Sequence, residues 1–135
     1  MIPFIDATYR TKPNRDQRAI AGLSMGAGHA MQIGLKHLDT FSAIGAFSGG
    51  GGMADVKTAY GGVFANPAEF NKKVEVLYLH AGTAEQAQHK GAVNLHNALD
   101  KAGIRNTFED VQGTAHDWQT WRWALFDFAP RLFQK

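Results

Sequence analysis

At 135 residues the chain has the length of one domain and can bury a modest core. A formal charge of +2, with Lys and Arg scattered rather than clustered, excludes the basic stripe of a nucleic-acid binder and the cationic face of a membrane-surface protein. Cysteine is absent, which excludes disulfides, thiol catalysis and Cys-based metal sites, and no apolar run approaches membrane-span length.

Along the chain, Ile2, Ile5 and Tyr9 recur at helical spacing and predict a short helix over residues 2–9. Thr11 to Asp16 carries turn residues and reads as a loop. Arg18 to Ala21 reads as a buried strand, followed by Gly22-Leu23-Ser24-Met25-Gly26. Ala27, Ala30, Met31, Gly34, Leu35 and Leu38 form the apolar stripe of a second helix. Ala43 to Ser48 reads as a second buried strand. The glycines at 49–52 are expected to form a plain flexible connector, with a substrate-binding loop as the alternative. Met53 to Asn71 has no firm period, and Pro67 is placed to open a short helix.

Val74 to His80, β-branched and apolar, is the clearest strand. Ala92, Leu95, Leu99 and Ala102 then set out a helix that Gly103 stops. Thr107 to Val111 reads as a fourth strand leading into Gln112 to His116. The last helix runs from Trp118 to Leu132, with Trp118, Trp121, Leu125 and Phe128 on one stripe and Pro130 kinking or ending it. Strands that alternate with helices imply an α/β fold: a parallel sheet of about four strands flanked by helices in three layers, with residues 1–135 as one domain. Active sites in such sheets lie at the carboxyl ends of the strands. Ser24, Glu85 and His116 each follow a predicted strand end.

A serine between two glycines, at a turn from strand to helix, is the pattern of a nucleophile elbow. The turn must hold Ser24 in a backbone conformation that lifts its Oγ above the sheet. Side chains at Gly22 or Gly26 are expected to clash where strand and helix pass each other. The Met25 N–H, at the start of the following helix, points to where negative charge develops in acyl transfer. The alternative for Ser24 is a simple helix cap.

A serine hydroxyl needs a base, and the base needs an orienting acid. His116, in the loop after the fourth strand, suits the base. Glu85, in the loop after the third, suits the acid, although Thr83 and Gln86 also fit a capping box that would explain a carboxylate there. Asp110 and Asp55 are rivals for the acid. His29, just after the elbow, is a candidate for the pocket wall, and so is Trp118. Trp121 reads as helix core. His37, His80, His89 and His96 read as surface or strand-end residues, and no pair of histidines has the His-x-x-x-His spacing of helical zinc sites.

The segments Arg18 to Gly28, Gly82 to Glu85 and Gly113 to Trp118, with Trp121, resemble the esterase D-like group of α/β-hydrolases. Within it they look most like the feruloyl and acetylxylan esterases of carbohydrate esterase family 1. The resemblance implies Ser24 as nucleophile, His116 as base, Met25 as an oxyanion-hole donor, and Glu85 as the acid where many relatives carry Asp. It implies hydrolysis of feruloyl or acetyl esters on plant cell-wall polysaccharide, with neither metal nor organic cofactor. Relatives are often secreted or periplasmic, whereas no signal-peptide pattern opens this sequence.

The likeness extends only to the C-terminal half of such a domain. The second oxyanion-hole N–H of relatives comes from the other half. An elbow strand without its neighbour is expected to pair with another copy, giving a homo-oligomer through the sheet edge. Two other readings fit the same residues: a non-catalytic binding module that keeps the elbow as architecture, and an acyltransferase that uses the same three side chains.

Overall fold

The computed structural model describes residues 1–53 and 55–134. Four strands, β1 (Ala19–Leu23), β2 (Ala43–Phe47), β3 (Val76–Gly82) and β4 (Thr107–Val111), form one sheet in the order β1-β2-β3-β4. Every pairing is parallel. The helices are α1 (Ile2–Thr8), α2 (Met25–Lys36), a short distorted turn α3 (Ala59–Gly62), α4 (Pro67–Lys73), α5 (Gln86–Lys101) and α6 (Trp118–Phe128). Short 3-10 turns at Arg15–Gln17 and Ala129–Arg131 flank β1 and close α6. Among the described residues no helix is long and apolar enough to cross a membrane.

The period-2 alternation of the strands divides the core between the two faces of the sheet. Ile44, Ala46, Leu77 and Leu79 point to one face, where Met31 and Leu35 of α2 and Leu95 and Leu99 of α5 cover them. Phe47 and Tyr78 point to the other, where Ala124 and Phe128 of α6 cover them. Gly34 lets α2 lie close to the sheet. A Cβ there would stand 2.8 Å from both Ile20 Cγ2 and Ile44 Cγ1.

Three expectations about packing change. β1 is half-buried rather than buried, because it pairs with β2 on one side and no described strand lies on the other. On α6 the buried stripe is Thr120, Ala124 and Phe128 with Trp121 partly covered, while Trp118 and Leu125 are exposed. The helix is apolar nearly all round, so its period alone did not single out the covered face. The glycines at 49–52 are also more than a connector. A Cβ at Gly49 would lie 2.3 Å from the Ser24 carbonyl oxygen, and one at Gly51 would lie 2.9 Å from the Gly91 carbonyl carbon. The loop therefore packs backbone to backbone against both the elbow and α5.

His80 is another departure. It lies inside β3, almost fully buried beside Tyr78, and its Nδ1 has no hydrogen-bond partner in the protein. Burial pushes its imidazole below the ordinary histidine range, and the charges of Glu85, Asp127 and Asp110 only partly oppose this. The unfolded chain protonates this residue near pH 6.5, whereas the folded chain resists until lower pH. Below pH 6.5 the unfolded state thus binds more protons, and stability falls as pH falls. Urea midpoints measured from pH 8 to pH 5 are expected to decline on the acid side, with a shallower decline in His80→Gln. Equal slopes for the two proteins would remove His80 as the cause.

Candidate active site

The elbow is built by close packing of backbone. A Cβ at Gly22 would stand 2.1 Å from the Gly26 carbonyl oxygen, so only glycine lets β1 pass under the first turn of α2. Gly26 itself behaves differently from expectation, since a Cβ there meets nothing within 4 Å. Its carbonyl, not its missing side chain, is what crowds Gly22. Between them Ser24 has φ 54° and ψ −122°, a region that L-residues rarely enter. Its N–H donates to the Phe47 carbonyl at 2.8 Å. As the N-cap of α2 its side chain makes no capping hydrogen bond, so the hydroxyl is left for other work.

That hydroxyl meets His116, with Nε2 2.8 Å from Ser24 Oγ. The other ring nitrogen, Nδ1, is 2.6 Å from Glu85 Oε2. An ionised carboxylate only accepts, so Nδ1 carries the proton and Nε2 is free to take one from the serine. The Glu85 side chain is 1% exposed, whereas that of His116 is 35% exposed and open to an incoming molecule. Glu85 Oε1 accepts from the Gly82 N–H at 2.6 Å and from the Ser48 hydroxyl at 2.5 Å. The capping box does not form. Glu85 is the N-cap of α5 with no capping bond, and Thr83 Oγ1 instead accepts from the Gly113 N–H at 2.8 Å.

The two loops that carry Glu85 and His116 are tied together. Ala84 N–H donates to the Thr114 carbonyl at 3.0 Å, and Thr83 N–H to the Val111 carbonyl at 3.1 Å. A Cβ at Gly82 would stand 2.3 Å from the Thr114 carbonyl oxygen. Past His116, the Asp117 carboxylate caps α6 by accepting from the N–H groups of Gln119 and Thr120. These contacts hold His116 and Glu85 against the strand ends rather than on free loops.

The rival acids lie elsewhere. Asp110 pairs with His89 at 2.8 Å on the exposed side of β4. Asp55 folds onto its own loop, accepting from the Thr58 hydroxyl at 2.9 Å. Hydrogen bonds from Thr58 and from the Lys57 N–H hold its carboxyl below the usual range. His29 is exposed on the outer face of α2, one turn past Met25, outside the hydrogen-bonded row. Met25 occupies the first position of α2, where N–H groups have no carbonyl partner within the helix. Trp118 is 69% exposed and stands edge-on to Trp121 at 5.4 Å.

Two residues went unrecognised in the sequence. Ser48 bonds Glu85, and Trp121 donates its Nε1–H to Ser48 Oγ at 3.0 Å while its ring stands edge-on to His116 at 5.1 Å. Only the position of Ser48, directly after a strand in register with the elbow strand, hinted at this. The glycines at 49–52 line a cleft with Ala87, Gln88 and Gly91, and none of the three residues of the row lines it. Among the described residues no cluster of three or more metal-ligating side chains occurs.

A serine on a forced turn, an imidazole and a buried carboxylate on adjacent strand ends invite comparison with known enzymes. The sequence profile of the esterase family matches residues 1–132. The chain belongs to the esterase family. It is 32% identical over 134 residues to an endo-1,4-beta-xylanase/feruloyl esterase of Xylanibacter ruminicola, covering 99% of this chain and 17% of that protein. Among solved structures, a ferulic acid esterase superposes with a TM-score of 0.75 at 25% identity, over 97% of this chain and 57% of the other. The CE1 ferulic acid esterase from Anaeromyces mucronatus superposes with a TM-score of 0.76 at 24% identity, over 98% of this chain and 50% of the other. The chain thus spans about half the length of these two solved esterases and less of the curated relative.

Proposed function

We propose that this esterase-family chain carries a serine ester-hydrolase centre made of Ser24, His116 and Glu85. The observation that carries the proposal is the continuous row of hydrogen bonds from Ser24 Oγ through both nitrogens of His116 to Glu85. Ser24 Oγ attacks the ester carbonyl as its proton passes to His116 Nε2. Glu85 holds the imidazolium in place, and the Met25 N–H faces the oxyanion. The alcohol leaves with the proton from His116, and an acyl-Ser24 remains. Water then attacks the acyl group, again losing its proton to His116. The acid departs as that proton returns to Ser24. These steps use side chains of this chain, one backbone N–H and water.

For the substrate, the names of the relatives favour a hydroxycinnamoyl ester on plant polysaccharide, with acetyl esters as the neighbouring class. The exposed His116 leaves the row open to a bulky partner. Reaction with a fluorophosphonate, read by peptide mass spectrometry, is expected to give one adduct, on Ser24. A chain that takes no adduct would be a binding module, and the proposal would fall. Release of ferulate from feruloylated arabinoxylan, against release of acetate from acetylated xylan, then ranks the two acyl groups.

The choice of acid has its own test. Glu85→Gln is expected to slow labelling of Ser24 by about 100-fold or more, because the imidazole loses both its orientation and its counter-charge. Asp110→Asn and Asp55→Asn are expected to leave the rate within about twofold, as for surface changes away from the chemistry. A large loss in either Asp variant, with none in Glu85→Gln, would move the acid to that residue.

A further inference from the structure

We infer that Ser48 and Trp121 act together as positioning residues for the Glu85 carboxylate, an inference that rests on the Ser24–His116–Glu85 reading above. Glutamate has one more rotatable bond than aspartate. Presenting Oε2 to the imidazole therefore requires that rotation of the carboxylate be stopped through Oε1. Two donors reach Oε1. The Gly82 N–H is local, three residues back in the chain at the end of β3. The Ser48 hydroxyl comes from the end of β2, a different strand, and is the side-chain donor that ties the carboxylate across to the neighbouring strand end.

The direction of the Ser48 bond is set by Trp121. A hydroxyl has one proton to give and can point it several ways, while an indole N–H can only donate. The Trp121 Nε1–H fills the acceptor side of Ser48 Oγ and leaves the single hydroxyl proton for Glu85. Ser48 is 1% exposed, so bulk water does not compete. The donors run one way, from indole to hydroxyl to carboxylate, an arrangement in which each bond polarises the next. The same indole stands edge-on to His116, so one side chain touches both the acid's anchor and the base.

The backbone gives a second, independent argument. Ser48 has φ 54°, the same value as Ser24, and its N–H bonds the His80 carbonyl as the Ser24 N–H bonds that of Phe47. Glycine fits such a conformation without strain, and a residue with a side chain does not. A serine at this turn is therefore held against the local backbone preference, and its hydroxyl is what the strain retains.

The test compares fluorophosphonate labelling of Ser24 across pH in the parent chain, Ser48→Gly, Trp121→Phe and the double variant, with thermal melts confirming that each is folded. Ser48→Gly suits φ 54° and removes only the hydroxymethyl group; Trp121→Phe keeps an aromatic ring and removes the N–H. Ser48→Gly is expected to label about tenfold more slowly and Trp121→Phe about threefold more slowly, as for loss of a hydrogen bond to a charged group and of one step further off. The double variant is expected to be no slower than Ser48→Gly, because Trp121 acts through Ser48. A carboxylate with fewer donors holds imidazolium more strongly, so the acid-side fall in rate is expected to move to higher pH in Ser48→Gly. A merely structural role would not move that profile.

If the parent labels at Ser24 while both single variants keep its rate and pH profile, the positioning role is overturned and the three-residue centre stands. Losses that multiply in the double variant would place Trp121 on His116 directly and overturn the relay. A parent that takes no label fails the centre itself, and this inference with it.

Discussion

Ser24→Ala is expected to lower kcat/KM for p-nitrophenyl acetate by about 10³-fold or more, the equivalent of ~4 kcal/mol of transition-state stabilisation. The size of the loss follows from the geometry. His116 Nε2 is hydrogen-bonded to the Ser24 hydroxyl itself, so the substitution takes away the proposed nucleophile and the proton that the proposed base would receive. Other side chains react with this ester only slowly and give no burst of nitrophenol. The decisive comparison is therefore the pre-steady-state burst, expected in the parent and absent in the variant. The fold should be untouched, since Ser24 makes no capping bond with its side chain and alanine occupies the same backbone. Identical time courses for the two proteins would mean that the elbow is architecture without chemistry.

Gly22→Ala is expected to be the most damaging single methyl group in the elbow. The contact it creates, 2.1 Å to the Gly26 carbonyl oxygen with the carbonyl carbon at 2.4 Å, is with backbone on both sides. No side chain can swing away. Either β1 leaves its register with β2 or α2 shifts off the sheet, losing the contacts of Ala27, Met31 and Leu35. A cost of about 3 kcal/mol or more is expected, above the usual range for overpacking because nothing flexible absorbs it. Urea denaturation followed by far-UV circular dichroism measures it. Gly26→Ala supplies the contrast: its Cβ meets nothing within 4 Å, and it is expected to leave the midpoint nearly unchanged. Equal losses at the two glycines would show that the strand–helix crossing does not set the cost, since helix propensity by itself favours alanine at position 26.

These two glycines illustrate what was legible in the sequence. The Gly-x-Ser-x-Gly spacing pointed to a tight turn, and the strand and helix around it were readable from their periods. Which glycine bears the crowding is a matter of three-dimensional approach, and the spacing treats both alike. His116 and Glu85 could be placed because each follows a strand in a parallel sheet, and such strand ends meet at one edge. The Thr83 and Gln86 pair offered Glu85 a local explanation. The fold declined it, because Thr83 spends its side-chain oxygen on the Gly113 N–H.

Ser48 and Trp121 were not legible, for a different reason. Their partnership spans 73 residues and joins a strand end to a helix, and no local pattern encodes such a contact. His80 looked like an ordinary strand-end histidine until the strand proved to run on to Gly82, which buried it. The face of α6 was likewise undetermined, since Trp118, Trp123, Leu125 and Phe126 are as apolar as the residues that α6 covers.

The left-handed backbone at Ser24 has a consequence for how such a chain can be engineered. A non-glycine residue at φ 54° with this ψ costs on the order of 1–3 kcal/mol. Glycine at position 24 would relax that burden, so the Ser24→Gly protein should outlast the parent on heating. Selection for endurance alone therefore drifts toward loss of the Ser24 hydroxyl, and any search for hardier variants has to screen for ester hydrolysis at the same time.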